Sequence, residues 1–281
     1  MQLSDRRIFA LLGEVVDGNP TEEMVEAAFG AVGLPWTYVS IPVPAGSFPA
    51  AWAAARLLGF AGLNVTKPYK IEAARLADRL TPAAAAIGAV NCVYRADDGL
   101  VGDNTDGRGL VRAVAGTCRV EGSSVVVLGS GGAARAVAVE LALAGARELV
   151  VAARSETAGR SLVDAILATG TAACRFERWA GELAVPAGCD LLVNATSVGM
   201  FDPDERLALD LSSAGASTVV ADVVIAPRPT ALLVDATRRG LATVPGNEML
   251  VRQAAIGFEL WTGREAPLPV LRAALAAALG S

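Results

Sequence analysis

Two lysines, Lys67 and Lys70, are the only ones among the 281 residues, and both lie in one short stretch, residues 62–70. Every other basic side chain is an arginine. Arginine holds its proton near neutral pH, whereas a lysine in a dry, positively biased site can release it. A lysine retained in a chain that otherwise uses arginine is therefore a candidate for proton transfer to or from a substrate.

The chain contains no histidine. This excludes Ser-His and Cys-His nucleophilic catalysis, histidine metal sites and the commonest general acid and base. Proton transfer is left to lysine, carboxylates, tyrosine or cysteine. The four cysteines, at positions 92, 118, 174 and 189, show no paired spacing. We therefore expect buried structural thiols and no metal site.

The elements around the two lysines predict an α/β layer. Residues 60–65 form a buried strand that runs into a polar turn and a helix that Pro68 starts. In the N-terminal part, an apolar strand (8–12) is followed by a loop and a helix beginning at Asn19, with Asn19 as N-cap and Glu22 completing a capping box. A hairpin near residues 97–99 interrupts the strand–helix alternation, so the sheet is predicted to be mostly parallel.

A second α/β unit begins near Ser124. A strand (125–128) is followed by a glycine-rich turn, a helix to about 144 and another strand, which together predict a dinucleotide-binding unit. The turn consists of Gly129, Ser130, Gly131, Gly132 and Ala133. The alternative is a tight turn of structural use only. Arg154 follows the next strand and suits the 2′-phosphate of NADP better than the ribose hydroxyl of NAD, unless it is merely a solvated arginine.

The rest of the chain completes a two-domain α/β architecture. Asn194 and Thr196 follow a later strand and are expected to border the nicotinamide end of the cofactor site. The last two helices, 247–261 and 267–279, are amphipathic and are expected to pack on the first domain. The predicted domains are 1–105 completed by 245–281, for substrate, and 106–244, a Rossmann-type NADP-binding domain.

Composition narrows the function classes. The net charge of −5 argues against a nucleic-acid partner, and no apolar run reaches the ~20 residues of a membrane span. The first seven residues lack the basic-then-apolar order of a signal peptide. We therefore expect a cytoplasmic enzyme that binds neither nucleic acid nor membrane.

Six motifs in one order resemble the shikimate dehydrogenase family over nearly the whole chain. They are residues 64–70 (NVTKPYK), 88–91 (GAVN), 102–107 (GDNTDG), 129–133 (GSGGA) and 194–200 (NATSVGM). The sixth lies within residues 249–263 and consists of MLVRQ at 249–253 and WTG at 261–263. The resemblance implies NADP as cofactor and reversible hydride transfer to the ring carbonyl of 3-dehydroshikimate, in aromatic amino acid biosynthesis. It also implies a cyclic hydroxy acid substrate, and we expect a monomer or homodimer.

The resemblance also implies roles for individual residues. Lys70 and Asp106 match the family's catalytic pair, and chemistry supports this match, because ketone reduction needs a proton donor at oxygen and Asp106 can keep Lys70 charged. The alternative for the pair is an interdomain salt bridge. Substrate contacts are expected from Asn19, Thr21, Thr66, Asn91 and Gln253. Cofactor contacts are expected from residues 129–133 and from Arg154, Asn194, Thr196 and Gly246.

Three departures from the family concern the substrate. The family has two serines that hold the substrate carboxylate where this chain has Asn19 and Thr21, and acidic residues crowd the same turn. Ile225 stands where the family usually has tyrosine, and Glu248 replaces a small residue. One hypothesis is a divergent paralogue for a quinate- or aminoshikimate-like compound, with a cation suited to the added acids. Another is a non-catalytic NADP-binding protein.

Overall fold

The computed structural model describes residues 6–280 and divides the chain into two compact units. The first comprises the chain up to Thr105 together with the stretch from Gln253, and the second runs from Asp106 to Arg252. The signal-peptide prediction falls largely on residues 1–5, outside the described part. Within residues 6–280, no helix combines the length and the hydropathy that crossing a membrane requires.

A six-stranded sheet forms the first unit. Its strands are β1 (Ile8–Gly13), β2 (Thr37–Pro42), β3 (Gly62–Val65), β4 (Arg79–Leu80), β5 (Cys92–Ala96) and β6 (Gly99–Asp103). Its helices are α1 (Thr21–Ala31), α2 (Phe48–Leu57), α3 (Lys70–Leu76) and α4 (Pro82–Ile87). The sheet order is β2-β1-β3-β5-β6-β4, with β5 antiparallel to both neighbours and the other pairs parallel, as the hairpin prediction requires.

Two helix starts differ from prediction. Helix α1 begins at Thr21 with Pro20 as N-cap, and the predicted capping box does not form. Asn19 instead accepts a hydrogen bond from the Thr21 amide, and Glu22 bonds elsewhere. Helix α3 begins at Lys70 rather than at Pro68, which follows a cis peptide bond in the preceding turn.

The second unit is a parallel six-stranded sheet of Rossmann type. Its strands and helices are α5 (Asp106–Val114), β7 (Ser124–Leu128), α6 (Gly132–Leu143), β8 (Glu148–Ala153), α7 (Glu156–Leu167), β9 (Ala173–Arg178), β10 (Leu183–Ala184), β11 (Leu191–Asn194), β12 (Leu209–Asp210), β13 (Val219–Asp222), α8 (Ala231–Arg238) and β14 (Ala242–Val244). The strand order is β14-β13-β11-β7-β8-β9. From β7 the chain first adds β8 and β9 on one side and then β11, β13 and β14 on the other, and this change of side is the topology of dinucleotide-binding folds. Strands β10 and β12 form a separate short pair.

The chain closes with α9 (Gly246–Thr262) and α10 (Leu268–Leu279). The first two turns of α9 belong to the second unit, because Asn247 brackets the backbone of Ala226 with two hydrogen bonds. The remainder belongs to the first unit, where the Trp261 indole donates to the Val93 carbonyl and α10 packs on α1. A side chain at Gly62 would collide with Trp261, so that glycine admits the indole.

Candidate functional site

Polar residues of the first unit gather at one edge of its sheet. Strands β1 and β3 are parallel and both end there, and β6 ends beside the start of β5. Thr66 follows β3, Asn91 precedes β5 and Thr105 follows β6. The carboxyl ends of parallel strands in open α/β sheets are where ligands bind. The topology therefore brings the predicted substrate residues Thr66 and Asn91 to one edge.

Asn91, Thr105 and Gln253 form a buried cluster whose amide orientations follow from the backbone. The Thr105 amide donates to Asn91 Oδ1 at 2.7 Å, which fixes the Asn91 side chain. Asn91 Nδ2 then points to Thr105 Oγ1 (3.0 Å) and to Gln253 Oε1 (3.3 Å), and Thr105 Oγ1 also donates to Gln253 Oε1 at 3.1 Å. Because Oε1 is occupied, Gln253 presents its Nε2 group as a donor that no described residue accepts.

Thr66 presents an open hydroxyl at the same edge. Its backbone is held by hydrogen bonds to Leu12 and Tyr69. Its methyl group lies so close to Gly13 that a Cβ there would approach within 2.3 Å. The backbone and the methyl group are thus fixed, while the hydroxyl makes no hydrogen bond within the described residues. The glycine at 13 is required by this packing.

Asn64 and Tyr38 hold Asn91 in place, although the sequence analysis assigned no role to either of them. Asn64, in the middle of β3, donates to the Asn91 carbonyl at 2.9 Å and accepts a hydrogen bond from the Tyr38 hydroxyl at 2.7 Å. Burial raises the pKa of Tyr38 well above its usual value, and the charges of Cys92 and Glu22 raise it further, so the phenol remains a donor. The signal for this role in the sequence was an asparagine inside an otherwise apolar strand.

Lys70 is half-buried at the first position of α3, and its carbonyl accepts a hydrogen bond from the Val90 amide, which precedes Asn91. A cation at the positive end of a helix does not stabilise that helix. Helix stability therefore does not explain why a lysine occurs here. Lys67, by contrast, is exposed in the preceding turn.

The turn before α1 is closed by its own side chains. The Thr21 hydroxyl donates to Asn19 Oδ1 at 2.7 Å, and the Thr21 amide donates to the same oxygen at 3.0 Å. Glu22 accepts from the Ser40 amide at 2.7 Å, and Glu26 accepts from the Tyr38 amide, so these carboxylates cover the free edge of β2. Glu23 is exposed to solvent.

The glycine-rich turn of the second unit has room for a ligand. Gly129 adopts φ +110° and lies against the Ala195 carbonyl, where a Cβ would approach within 2.9 Å. At Gly131 and Gly132 an added Cβ would meet no atom within 4 Å, so protein packing does not demand these glycines. Helix α6 starts there without a side-chain cap, which leaves its first amides available to an anion. Ser130 and Ala133 lie in the same turn.

Arg154 and Arg160 differ in their surroundings. Arg154 is exposed just after β8 and pairs with no carboxylate among the described residues. Arg160 donates to Glu156 at 2.8 Å and lies over the Phe176 ring, so its guanidinium is already engaged. Of the two arginines, Arg154 has the guanidinium that is open to a phosphate.

Asn194 is 1% exposed, and its side chain is fully bonded within the second unit. Nδ2 donates to Asp222 (3.0 Å) and to the Val198 carbonyl (3.4 Å), and Oδ1 accepts from the amide and the hydroxyl of Thr196. Asp222 also accepts a hydrogen bond from the Thr230 hydroxyl. Burial raises the pKa of Asp222, while the hydrogen bonds from Thr230, Val224 and Asn194 oppose that rise.

The remaining predicted residues lie in the second unit. Gly246 opens α9 against the backbone of Val224, where a Cβ would approach a carbonyl within 2.3 Å. Asp106 is the first residue of α5, where a carboxylate is favourable. Ile225 is 39% exposed in the loop after β13.

Two of the four cysteines, Cys92 and Cys189, are buried as predicted, whereas Cys118 and Cys174 are half-buried. The cysteines are free thiols, and burial raises the pKa of Cys174 and of Cys189 to about 11 each, which makes them poor nucleophiles. No group of three or more metal-ligating side chains occurs in residues 6–280. Proton transfer is thus left to lysine, carboxylates or tyrosine.

Comparison with known proteins identifies the family. Models of the shikimate dehydrogenase substrate binding domain and of the shikimate 5′-dehydrogenase C-terminal domain match residues 11–93 and 246–276. The shikimate dehydrogenase (NADP(+)) of Geobacter metallireducens is 40% identical over 97% of this chain and 97% of its own. The chain belongs to the shikimate dehydrogenase family. The predicted resemblance is confirmed.

Two solved structures share the fold over almost the whole length. The ligand-free 5-ketofructose reductase of Gluconobacter sp. strain CHM43 has a TM-score of 0.94 and 36% identity, covering 97% of this chain and 98% of that one. A shikimate dehydrogenase in complex with NADP+ has a TM-score of 0.90 and 31% identity, covering 99% and 98%. The predicted two-domain α/β class is confirmed.

Proposed function

We propose that this protein catalyses the reversible NADP-dependent reduction of a ketone flanked by hydroxyl groups, with 3-dehydroshikimate and shikimate as the reference pair. The observation that carries the proposal is the sheet edge of the first unit, where Gln253 presents an open amide donor and Thr66 an open hydroxyl, and where Lys70 begins the helix that follows Thr66. Relatives that act on shikimate and on 5-ketofructose share the fold, so we state the reaction by its chemistry.

Lys70 is the proposed acid and base. In reduction, its ammonium group gives a proton to the carbonyl oxygen as that oxygen gains negative charge, and in oxidation the amine takes the proton back. Asp106, the residue after Thr105 in the chain, is the proposed partner that orients the ammonium group and keeps it charged in the ground state. Thr66 and Gln253 bind the flanking hydroxyls, and Asn91 orients Gln253 for this contact.

The second unit suits NADP. The first amides of α6 and the turn of residues 129–133 would hold the pyrophosphate, and Arg154 would hold the 2′-phosphate. When bound, NADPH supplies the hydride that adds to the carbonyl carbon. Thr196 and Gly246 border the cofactor in this proposal. Asn194 acts by position, because its amide is fully occupied in holding Thr196 and Asp222.

The two lysines provide the test. Lys70→Ala should lower kcat by at least about 1,000-fold while NADPH still binds, because the proton donor is lost and the cofactor site is not. Lys67→Ala, three residues away and exposed, is the matched control and should retain activity. Equal activity of the two variants would refute the proposal. A wild-type protein that binds NADPH but reduces no ketone would favour the non-catalytic alternative.

The assembly and location remain part of the proposal. We propose a cytoplasmic monomer or homodimer with a small-molecule substrate. Quinate- and aminoshikimate-like rings are alternatives to shikimate, and all of them share the flanking hydroxyls that the amide cluster would bind. Light scattering during size exclusion tests the assembly, and a panel of these rings with NADP and with NAD tests the substrate and cofactor.

A further inference from the structure

We infer that the substrate of this site is an uncharged polyhydroxy ketone rather than a carboxylic acid. The inference rests on the proposed function and narrows its substrate class. It concerns the turn of residues 18–23, which lies at the same sheet edge as Thr66 because β1 and β3 are parallel neighbours. The resemblance to the family implies that this turn would meet the carboxylate of a shikimate-like ring.

The donors that a carboxylate needs are consumed inside the turn. Both the hydroxyl and the amide of Thr21 donate to Asn19 Oδ1, and Thr21 is only 5% exposed. A hydroxyl has a single proton, so Thr21 has none left for a ligand. The one open donor of the pair is Asn19 Nδ2, an uncharged amide that bonds to no described residue. One neutral donor suits a hydroxyl oxygen better than a carboxylate.

The charge around the turn has the wrong sign for an acid. Between Arg7 and Arg56 the chain has no lysine or arginine, but it has five acidic residues, at positions 14, 17, 22, 23 and 26. Glu22 follows Thr21 in the chain, and the Ser40 amide holds its carboxylate at the free edge of β2, so its charge acts on the turn only at long range. A substrate carboxylate would have to approach this charge without a cation from the same segment.

Apart from the exposed Lys67 in the turn after β3, the groups that remain open at this edge are neutral. They are Asn19 Nδ2, the Thr66 hydroxyl and Gln253 Nε2, and each can bond to an alcohol oxygen. Lys70 is the cation expected at the reacting oxygen, so it is committed to the reaction and not to a distant carboxylate. The site is therefore complementary to several hydroxyls around one carbonyl.

Paired substrates that differ only in charge test the inference. We would measure kcat/KM for shikimate and for its methyl ester with NADP+, and for 5-ketofructose with NADPH. The expected result is a preference of at least tenfold for the ester over shikimate, together with reduction of 5-ketofructose. Equal or higher kcat/KM for shikimate would overturn the inference and leave the proposed function intact. No turnover of any of the three would remove both.

A restored donor pair and added salt provide independent readouts. The double variant Asn19→Ser/Thr21→Ser breaks the internal bond and frees two hydroxyls, so the ratio of kcat/KM for shikimate to kcat/KM for the ester should rise at least tenfold. In the wild type, raising the ionic strength should raise kcat/KM for shikimate relative to the ester, because salt screens the acidic turn. Unchanged ratios in both experiments would contradict the inference. Thermal melting confirms that the variant is folded.

Discussion

Asn91 and Asn194 are two buried asparagines, one in each unit, and the clusters that they hold together differ in what their bonds leave open. Each asparagine lies at the end of a strand, and each holds by hydrogen bonds a threonine that follows a strand. The Asn194 cluster is closed, since both hydrogens of Nδ2 and both acceptor positions of Oδ1 have partners in the chain. The Asn91 cluster ends at Gln253, whose Nε2 has no acceptor among the described residues.

Residue type alone does not distinguish a ligand-binding cluster from a structural one, whereas a count of the hydrogen bonds within the cluster does. A closed cluster lowers the free energy of the fold and offers nothing to a ligand, while a cluster with one open donor is a rigid receptor for an acceptor atom. We expect changes at Asn91 to act mainly on catalysis and changes at Asn194 to act mainly on stability.

Among the variants of these two clusters, Asn91→Ala should produce the largest effect. It frees Gln253 to rotate and leaves the buried Thr105 amide without its acceptor, at ~1–3 kcal/mol for each group. We expect kcat/KM to fall by about 100-fold or more. Steady-state kinetics measures the change, and circular dichroism at the assay temperature shows that the variant is folded. A fall of less than threefold in a folded variant would contradict the receptor role of the cluster.

Asn194→Ala should have the second-largest effect, and that effect should be on stability. It leaves Asp222 and the Thr196 amide each with one partner fewer, so the free energy of unfolding should drop by ~2–3 kcal/mol. The folded variant should keep kcat/KM within about tenfold of the wild type. Urea unfolding followed by fluorescence measures the loss. If Asn194→Ala reduced catalysis more than Asn91→Ala, the comparison would be reversed.

Thr105→Val should have a smaller effect, confined to substrate binding. It removes the hydroxyl that donates to Gln253 Oε1, so the amide loses one of its two restraints. We expect KM to rise about tenfold, or ~1.4 kcal/mol, with kcat nearly unchanged. Thr105→Ser keeps the hydroxyl and is the matched control. Equal KM values for the two variants would exclude a positioning role for this hydroxyl.

Asp222 provides the smallest predicted effect, and it depends on pH. Because burial raises its pKa in the folded state, the protonated carboxyl contributes stability below the unfolded value of 3.8, and this contribution is lost as pH rises through the folded value. Asp222→Asn does not titrate. The wild type should therefore lose stability relative to the variant as pH rises through that window, with a constant difference at neutral pH. Urea titrations across this range measure it, and a difference independent of pH would contradict the raised pKa.

In the second unit, sequence reasoning predicted the central strands and missed both edge strands. The buried strands β7, β8, β11 and β13 are continuous apolar runs that the sequence reveals directly. Strands β9 and β14 are the two edges of the second sheet, and they mix apolar with polar residues because one side faces solvent. The short β4, also an edge, was missed for the same reason.

The candidate site was predicted where the signal is local. Gly129 to Ala133 lie between a strand and a helix, and Lys70 is one of only two lysines, so both could be found from neighbouring residues or from counting. Thr105 was missed because its role depends on Gln253, 148 positions away in the chain. Tyr38 and Asn64 were missed likewise, since nothing near them in sequence indicates that they hold Asn91.

By itself, the sequence determined the family, the α/β class, the cofactor turn and the lysine proposed for proton transfer, because each depends on periodicity, composition or short motifs. Only the tertiary structure decided what the acidic turn does. The sequence predicted Glu22 as a capping residue, and the fold instead places its carboxylate on the Ser40 amide at the free edge of β2. A side chain's hydrogen-bond partner is a property of the folded chain, since burial leaves each polar group few atoms to bond, and those atoms come from distant segments.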